Sequence, residues 1–166
     1  MSSSFALEKV EVAQSPQQRF DEFLQSRGKR VTQPRRIIIE QVFSHHEHFD
    51  AEELMAQLRA SGQGRRVSRP TVYRTLTELE AAGLLRKMTL GGRAVYEHDY
   101  GYPQHDHLYC QKCEKLIEFS SEEVKQIRDS VAAEHNFRVL GHRLIISGVC
   151  AECSRPVRPK RRLDLI

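Results

Sequence analysis

The strongest constraint on how this chain can fold is the placement of its four cysteines in two Cys-x-x-Cys pairs, Cys110/Cys113 and Cys150/Cys153. A Cys-x-x-Cys turn puts two thiols on the same side of a tight loop. Two such turns complete a tetrahedral site with Zn–S distances of about 2.3 Å. Here 36 residues separate the pairs, so one metal would clip together the first and last segments of a small unit. The N-terminus, MSSSFALEKVEVAQSPQQ, has no basic stretch followed by an apolar one and does not read as a signal peptide. The expected compartment is therefore the cytoplasm, where paired cysteines hold metal more often than they form disulfides. Structural zinc is the leading reading, because four soft thiolates satisfy it and leave no open catalytic position. A redox dithiol pair and an iron–sulfur cluster are the alternatives.

At 166 residues the chain fits one large domain or two small ones. Two small domains with thin cores need a metal or a partner chain. No apolar run approaches the roughly 18 residues that span a bilayer, and no membrane partner is expected. The net charge of +4 permits nucleic-acid binding without demonstrating it. Its distribution is more informative. Arg27, Lys29, Arg30, Arg35, Arg36, Arg65, Arg66, Arg69, Arg74, Arg86, Lys87 and Arg93 all lie in the first 93 residues, whereas histidine and cysteine concentrate from His98 onward.

Periodicity and capping residues predict a first helix after Ser15-Pro16, ended by Gly28. Thr32 caps a second with Pro34 in its first turn, and Asp50 caps a third, Ala51 to Ala60. A fourth, capped by Ser68, buries Val72, Leu76 and Leu79 and leaves Thr71, Arg74, Thr75 and Glu78 on its polar side. Leu84 to Leu90 and Arg93 to Glu97 read as strands joined by a two-residue Gly91-Gly92 turn. Helices followed by a hairpin are the pattern of a winged helix-turn-helix. Beyond it, Leu116 to Phe119 reads as a strand and Ser121 caps a helix to about His135 carrying Val124, Ile127 and Val131. Phe137 to Val149 reads as one long strand, or two broken near Gly141. The expected class is α+β: a flexible arm (1–15), a winged helix-turn-helix domain (16–97), a linker carrying metal ligands (98–106), a small α/β domain with the four-cysteine site (107–155), and a basic tail (156–166).

His105-Asp106-His107 stands just before Cys110. In an extended segment the two histidines share one face and Asp106 takes the other, so the triplet can serve two sites. Glu97 and His98 lie upstream. His45, His46 and His48 lie between the second and third helices; for His45 and His46 the ordinary reading of surface histidines is kept.

These residues carry a resemblance. Arg30-Val-Thr-Gln-Pro-Arg35, Asp50-Ala-Glu-Glu-Leu54, Pro70-Thr-Val-Tyr-Arg74, His105-Asp-His107, both cysteine pairs and Ile117-Glu-Phe119 together resemble the ferric uptake regulator (Fur) family of bacterial metal and peroxide sensors, over about residues 16–153. The resemblance implies a winged-helix domain joined to a dimerisation domain. It also implies a homodimer that binds an AT-rich inverted repeat of double-stranded DNA when loaded with metal. Structural zinc falls on Cys110, Cys113, Cys150 and Cys153. The regulatory site falls on His48, Glu97, His105, His107 and Glu118, with His98 a substitute because one extra residue separates Glu97 from His105. A further family site falls on Gln104, Asp106, Lys125 and His142, of which only Asp106 and His142 keep ligand character, with Glu122 and Glu123 nearby.

The implied DNA contacts are Tyr73 to thymine methyls, Arg74 to a phosphate and Arg30 in a narrow minor groove, where arginine is favoured electrostatically. Arg69 and Thr71 extend the same helix face. Core packing is the competing role for Tyr73. Arg86, Lys87 and Arg93 are generic phosphate candidates. An N/O donor set with glutamate suits Fe(II), and also Mn(II) or Zn(II). Fe(II)-dependent repression is the expected function; a peroxide- or zinc-sensing member is the alternative, and a zinc-ribbon interaction module without DNA function a distant one. An enzyme is not expected: a deaminase would need a His-x-Glu on a helix with its Pro-Cys-x-x-Cys, and that context is missing.

Overall fold

The computed structural model describes residues 12–44, 48–98 and 100–155. Most of the arm, the basic tail, His45 and His46 lie outside them. The chain divides into two compact units between Pro103 and Gln104.

The first unit opens with helix α1 (Pro16–Ser26). Ser15 and Gln18 form a reciprocal capping box, Gln18 N–H to Ser15 Oγ at 3.1 Å and Ser15 N–H to Gln18 Oε1 at 3.0 Å. Gly28, at φ 65°, lets the chain leave the helix while Lys29 N–H bonds back to the Leu24 carbonyl at 2.8 Å. Helix α2 (Gln33–Ser44) buries Ile37, Ile38, Ile39 and Val42. Helix α3 (Ala51–Ala60) repeats the capping box with Asp50 and Glu53. Helix α4 (Arg69–Ala81) carries Pro70 in its first turn. Its stripe of Val72, Leu76 and Leu79 is fully buried in one core with Phe20, Leu24, Ile38, Leu54 and Leu58.

Ser68 is the N-cap of α4 as expected, although its hydroxyl faces the Thr71 hydroxyl at 2.8 Å rather than a backbone N–H; two other expectations for α4 need correction. Thr75 and Glu78, expected on the polar side, are buried. Glu78 is buried because cations reach it. Lys29 Nζ stands 2.8 Å from Oε1, and Arg35 bonds both oxygens, at 2.9 and 3.0 Å.

After α4, strands β1 (Arg86–Leu90) and β2 (Arg93–Glu97) pair antiparallel, with Leu90 opposite Arg93. Gly91 and Gly92 form the turn at φ 55° and 79°, the doubly positive combination of a tight two-residue hairpin. The strand begins at Arg86 rather than Leu84, because the N–H groups of Leu84 and Leu85 both close the end of α4 on the Leu79 carbonyl. Phe49 adds a bridge to Tyr96.

The second unit has a three-stranded sheet in the order β4 (Leu116–Phe119), β3 (Asp106–Cys110), β5 (Ile145–Gly148). β4 is antiparallel and β5 parallel to β3. Helices α5 (Glu122–Glu134) and α6 (Ala151–Ser154) complete it. Only β5 forms within the long strand expected over 137–149. The Phe137 N–H is spent on the end of α5, bonding the Ala132 carbonyl, and Leu144 N–H bonds the Asp106 carboxylate. Phe137 and Leu140 project outward at 68% and 89% exposure, and Ile127 and Val131 leave the apolar stripe of α5 uncovered. Among the described residues of this unit, no large apolar side chain is fully buried, so its core is thin.

Candidate metal centres and nucleic-acid interface

The two cysteine pairs converge. Cys110 ends β3, Cys113 lies in the turn that follows, and Cys150 and Cys153 open and occupy α6. All four sulfurs lie within 4.8 Å of one another, and Cys113 and Cys150 are 3.8 Å apart. A tetrahedron with metal–sulfur bonds of about 2.3 Å has edges of about 3.8 Å. The Cys150 N–H donates to Cys110 Sγ at 3.3 Å. That N–H and the one at Cys113 hold the Cys110 thiol down to about 6, favouring the thiolate. The neighbouring thiols of Cys113 and Cys150 push Cys153 up to about 12. Four thiolates this close are stable together only around a cation, and the donor set suits structural zinc.

Strand alternation builds the second group. His107 sits opposite Glu118 across the β3–β4 ladder, on the same face as His105. Donor atoms of His105, His107 and Glu118 lie within 4.8 Å of one another, with His105 Nε2 3.9 Å from Glu118 Oε1. Two imidazoles and a carboxylate form an N/O set suited to a borderline divalent cation. In the first unit, His48 Nε2 faces Glu97 Oε2 at 3.0 Å. The His98 ring packs 4.6 Å from that of Phe43 and 5.7 Å from that of Tyr102.

Asp106 takes the opposite face of β3 and lies 3.1 Å from His142 Nε2. The other positions of that implied site are occupied differently: Gln104 bonds His142, Lys125 pairs with Glu122, and Glu123 accepts from Ser121.

On α4, Tyr73 is 42% exposed, so it is not a core residue, and Arg69 and Arg74 are exposed beside it. Thr71 is half-buried. Arg69 pairs with Glu52 of α3, and the Tyr73 hydroxyl donates to the same carboxylate at 3.3 Å. Arg30 is exposed, and its carbonyl accepts from Arg35 NH1 at 2.6 Å. Arg35 also grips Glu78, so one guanidinium ties the Arg30 loop to α4. Sequence reasoning gave Glu52, within the Asp50–Leu54 motif, and Glu78, on the polar side of the fourth helix, no partners, because those partners lie 17 to 49 residues away.

A winged helix-turn-helix unit, followed by a small unit holding a four-thiolate cluster and a separate N/O donor group, defines a metal-binding transcriptional regulator. The chain belongs to the ferric uptake regulator family, whose sequence pattern matches residues 26–147. It is similar to the ferric uptake regulation protein of Neisseria gonorrhoeae, 38% identical over 133 residues that cover 78% of this chain and 90% of the relative. Its fold is similar to the crystal structure of the Vibrio cholerae ferric uptake regulator, at 32% identity and a TM-score of 0.65, covering 78% of this chain and 98% of the other. The Pseudomonas aeruginosa ferric uptake regulator with manganese gives 31% identity and a TM-score of 0.67, covering 79% and 97%. The family is one of regulators rather than enzymes.

Proposed function

We propose that this chain is a cytoplasmic, homodimeric repressor that binds an AT-rich inverted repeat when it holds Fe(II) at a regulatory site. The observation that carries the reading is the His105, His107 and Glu118 donor group, which is separate from the four cysteines. The cysteines supply structural zinc; the N/O group supplies the signal. With His48 and Glu97, which face each other in the winged-helix unit, these residues make up the regulatory site. Metal bound by these residues fixes the reading heads of a dimer at the spacing of two half-sites. Manganese(II) and zinc(II) suit the same donors.

The uncovered apolar residues Ile127, Val131, Phe137 and Leu140 support pairing with a second copy, since patches of this kind mark interaction surfaces. Helix α4 enters the major groove with Arg69, Thr71, Tyr73 and Arg74, and Arg30 reaches the minor groove. No helix among the described residues is long and apolar enough to cross a membrane. The test is fluorescence anisotropy of the full-length protein on duplexes recovered by selection from a random library, with and without Mn(II) or anaerobic Fe(II). Tight, metal-dependent binding of the selected repeat over random DNA is expected. Equal binding of both by the metal-loaded protein contradicts the reading.

A further inference from the structure

We infer that Asp106 and His142 form no metal site in this chain but are the two ends of a metal-free strut closed by Arg128, whose guanidinium supplies the positive charge. The family resemblance implies a cation between Asp106 and His142, and the residues present do not fit one.

The hydrogen bonds account for each ring nitrogen. Arg128 NH1 faces His142 Nδ1 at 3.3 Å. A guanidinium only donates, so Nδ1 is an acceptor and its lone pair is engaged. The Gln104 amide donates to the same nitrogen at 2.6 Å and to the His142 carbonyl at 2.5 Å. The ring proton is then on Nε2, where it meets Asp106 Oδ2 at 3.1 Å. The other carboxylate oxygen accepts Leu144 N–H at 3.1 Å. Neither imidazole nitrogen keeps a lone pair for a cation. Among the described residues, no third histidine, cysteine or carboxylate joins the pair in a metal-holding group. Asp129 holds the Arg128 guanidinium in place through two bonds, at 2.7 and 3.0 Å.

The strut joins the start of β3, helix α5 and the segment leading into β5. Asp106 is 3% exposed and lies between the two histidines of the N/O group in sequence. Fixing its side chain on one face of β3 fixes His105 and His107 on the other. The residues that give a second regulatory cation to the family thus serve here to position the ligands of one.

The test is equilibrium dialysis of the full-length, zinc-containing protein against excess Mn(II), counting both metals per chain, with melting curves of the same samples. His142→Ala and Arg128→Met are compared with the unsubstituted protein. Arg128→Met removes only the cation and guards against a failure of His142→Ala to fold. Both variants are expected to keep the manganese count unchanged and to melt at least about 3 °C lower. Loss of one manganese per chain in His142→Ala overturns the inference by revealing a metal there. Unchanged melting in Arg128→Met overturns the strut. His107→Ala, which is expected to lose the regulatory manganese, tests the proposed function separately.

Discussion

A buried carboxylate must be paired, and Glu78 is paired twice. Burial pushes its carboxyl up, but hydrogen bonds from Lys29 and Arg35 outweigh burial and hold it below the usual 4.5. A depressed value in the folded state means that the contribution is complete above pH 4.5 and is lost as pH falls through the folded value. Glu78→Gln is expected to lower stability by about 1.5–3 kcal/mol at neutral pH, the usual worth of hydrogen bonds to charged groups. It should also flatten the loss of stability on acidification below pH 4.5. Urea titrations of both proteins at pH 7 and pH 3.5 check this; an equal difference at the two values excludes the role. Tyr73 and Arg74 part company at the same scale. Arg74→Ala is expected to weaken all sequences alike and to reduce the slope of log affinity against log salt by about 1. Tyr73→Ala should cost mainly discrimination for thymine, read by binding to operator and thymine-substituted duplexes across a salt series.

Among the elements, the wing is the most exposed to a single change. Both turn glycines need positive φ, and nothing stands within 4 Å of a Cβ added at Gly92, so the penalty there is conformational alone. Gly92→Val is expected to cost about 1–2 kcal/mol and to weaken DNA binding without changing metal content. Intact stability and affinity in that variant would show that the turn tolerates a side chain. The hairpin and the first four helices could be read from the sequence because their signals are local: Ser15 with Gln18, Asp50 with Glu53, Pro70, and the paired glycines. The segment 137–144 could not. Its Val, Leu and Phe content reads as strand, but the Phe137 and Leu144 amides bond a helix end and a carboxylate, and Phe137 and Leu140 face outward. Of the ligand positions, His48, Glu97 and Glu118 came from the family resemblance; spacing puts only His105 and His107 on one face. The residues that hold them in place, Arg128 and Gln104 against His142, could not be read, because they meet across 14 and 38 residues.

At the scale of the whole molecule, the described residues of the second unit form only a thin core, so its stability is expected to come from metal and, in the proposed dimer, a partner. Structural zinc contributes on the order of 10 kcal/mol to a small unit. Cys113→Ser is therefore expected to unfold residues 104–155, and circular dichroism with zinc analysis reads it; a folded, zinc-free variant rules the clip out. The central claim is that the proposed N/O site turns metal into DNA affinity. By linkage, metal can raise that affinity only by its preference for the binding-competent arrangement, typically about 1–3 kcal/mol, or roughly 5- to 150-fold. The measurement is an anaerobic DNA titration, with and without Fe(II), of the unsubstituted protein, His48→Ala and Asp106→Ala. The account predicts that His48→Ala loses the metal response while keeping its zinc and its dimer, and that Asp106→Ala, which loosens ligands without removing one, loses less of it. A full response in His48→Ala together with its loss in Asp106→Ala would contradict it and put the sensor at the other face of β3.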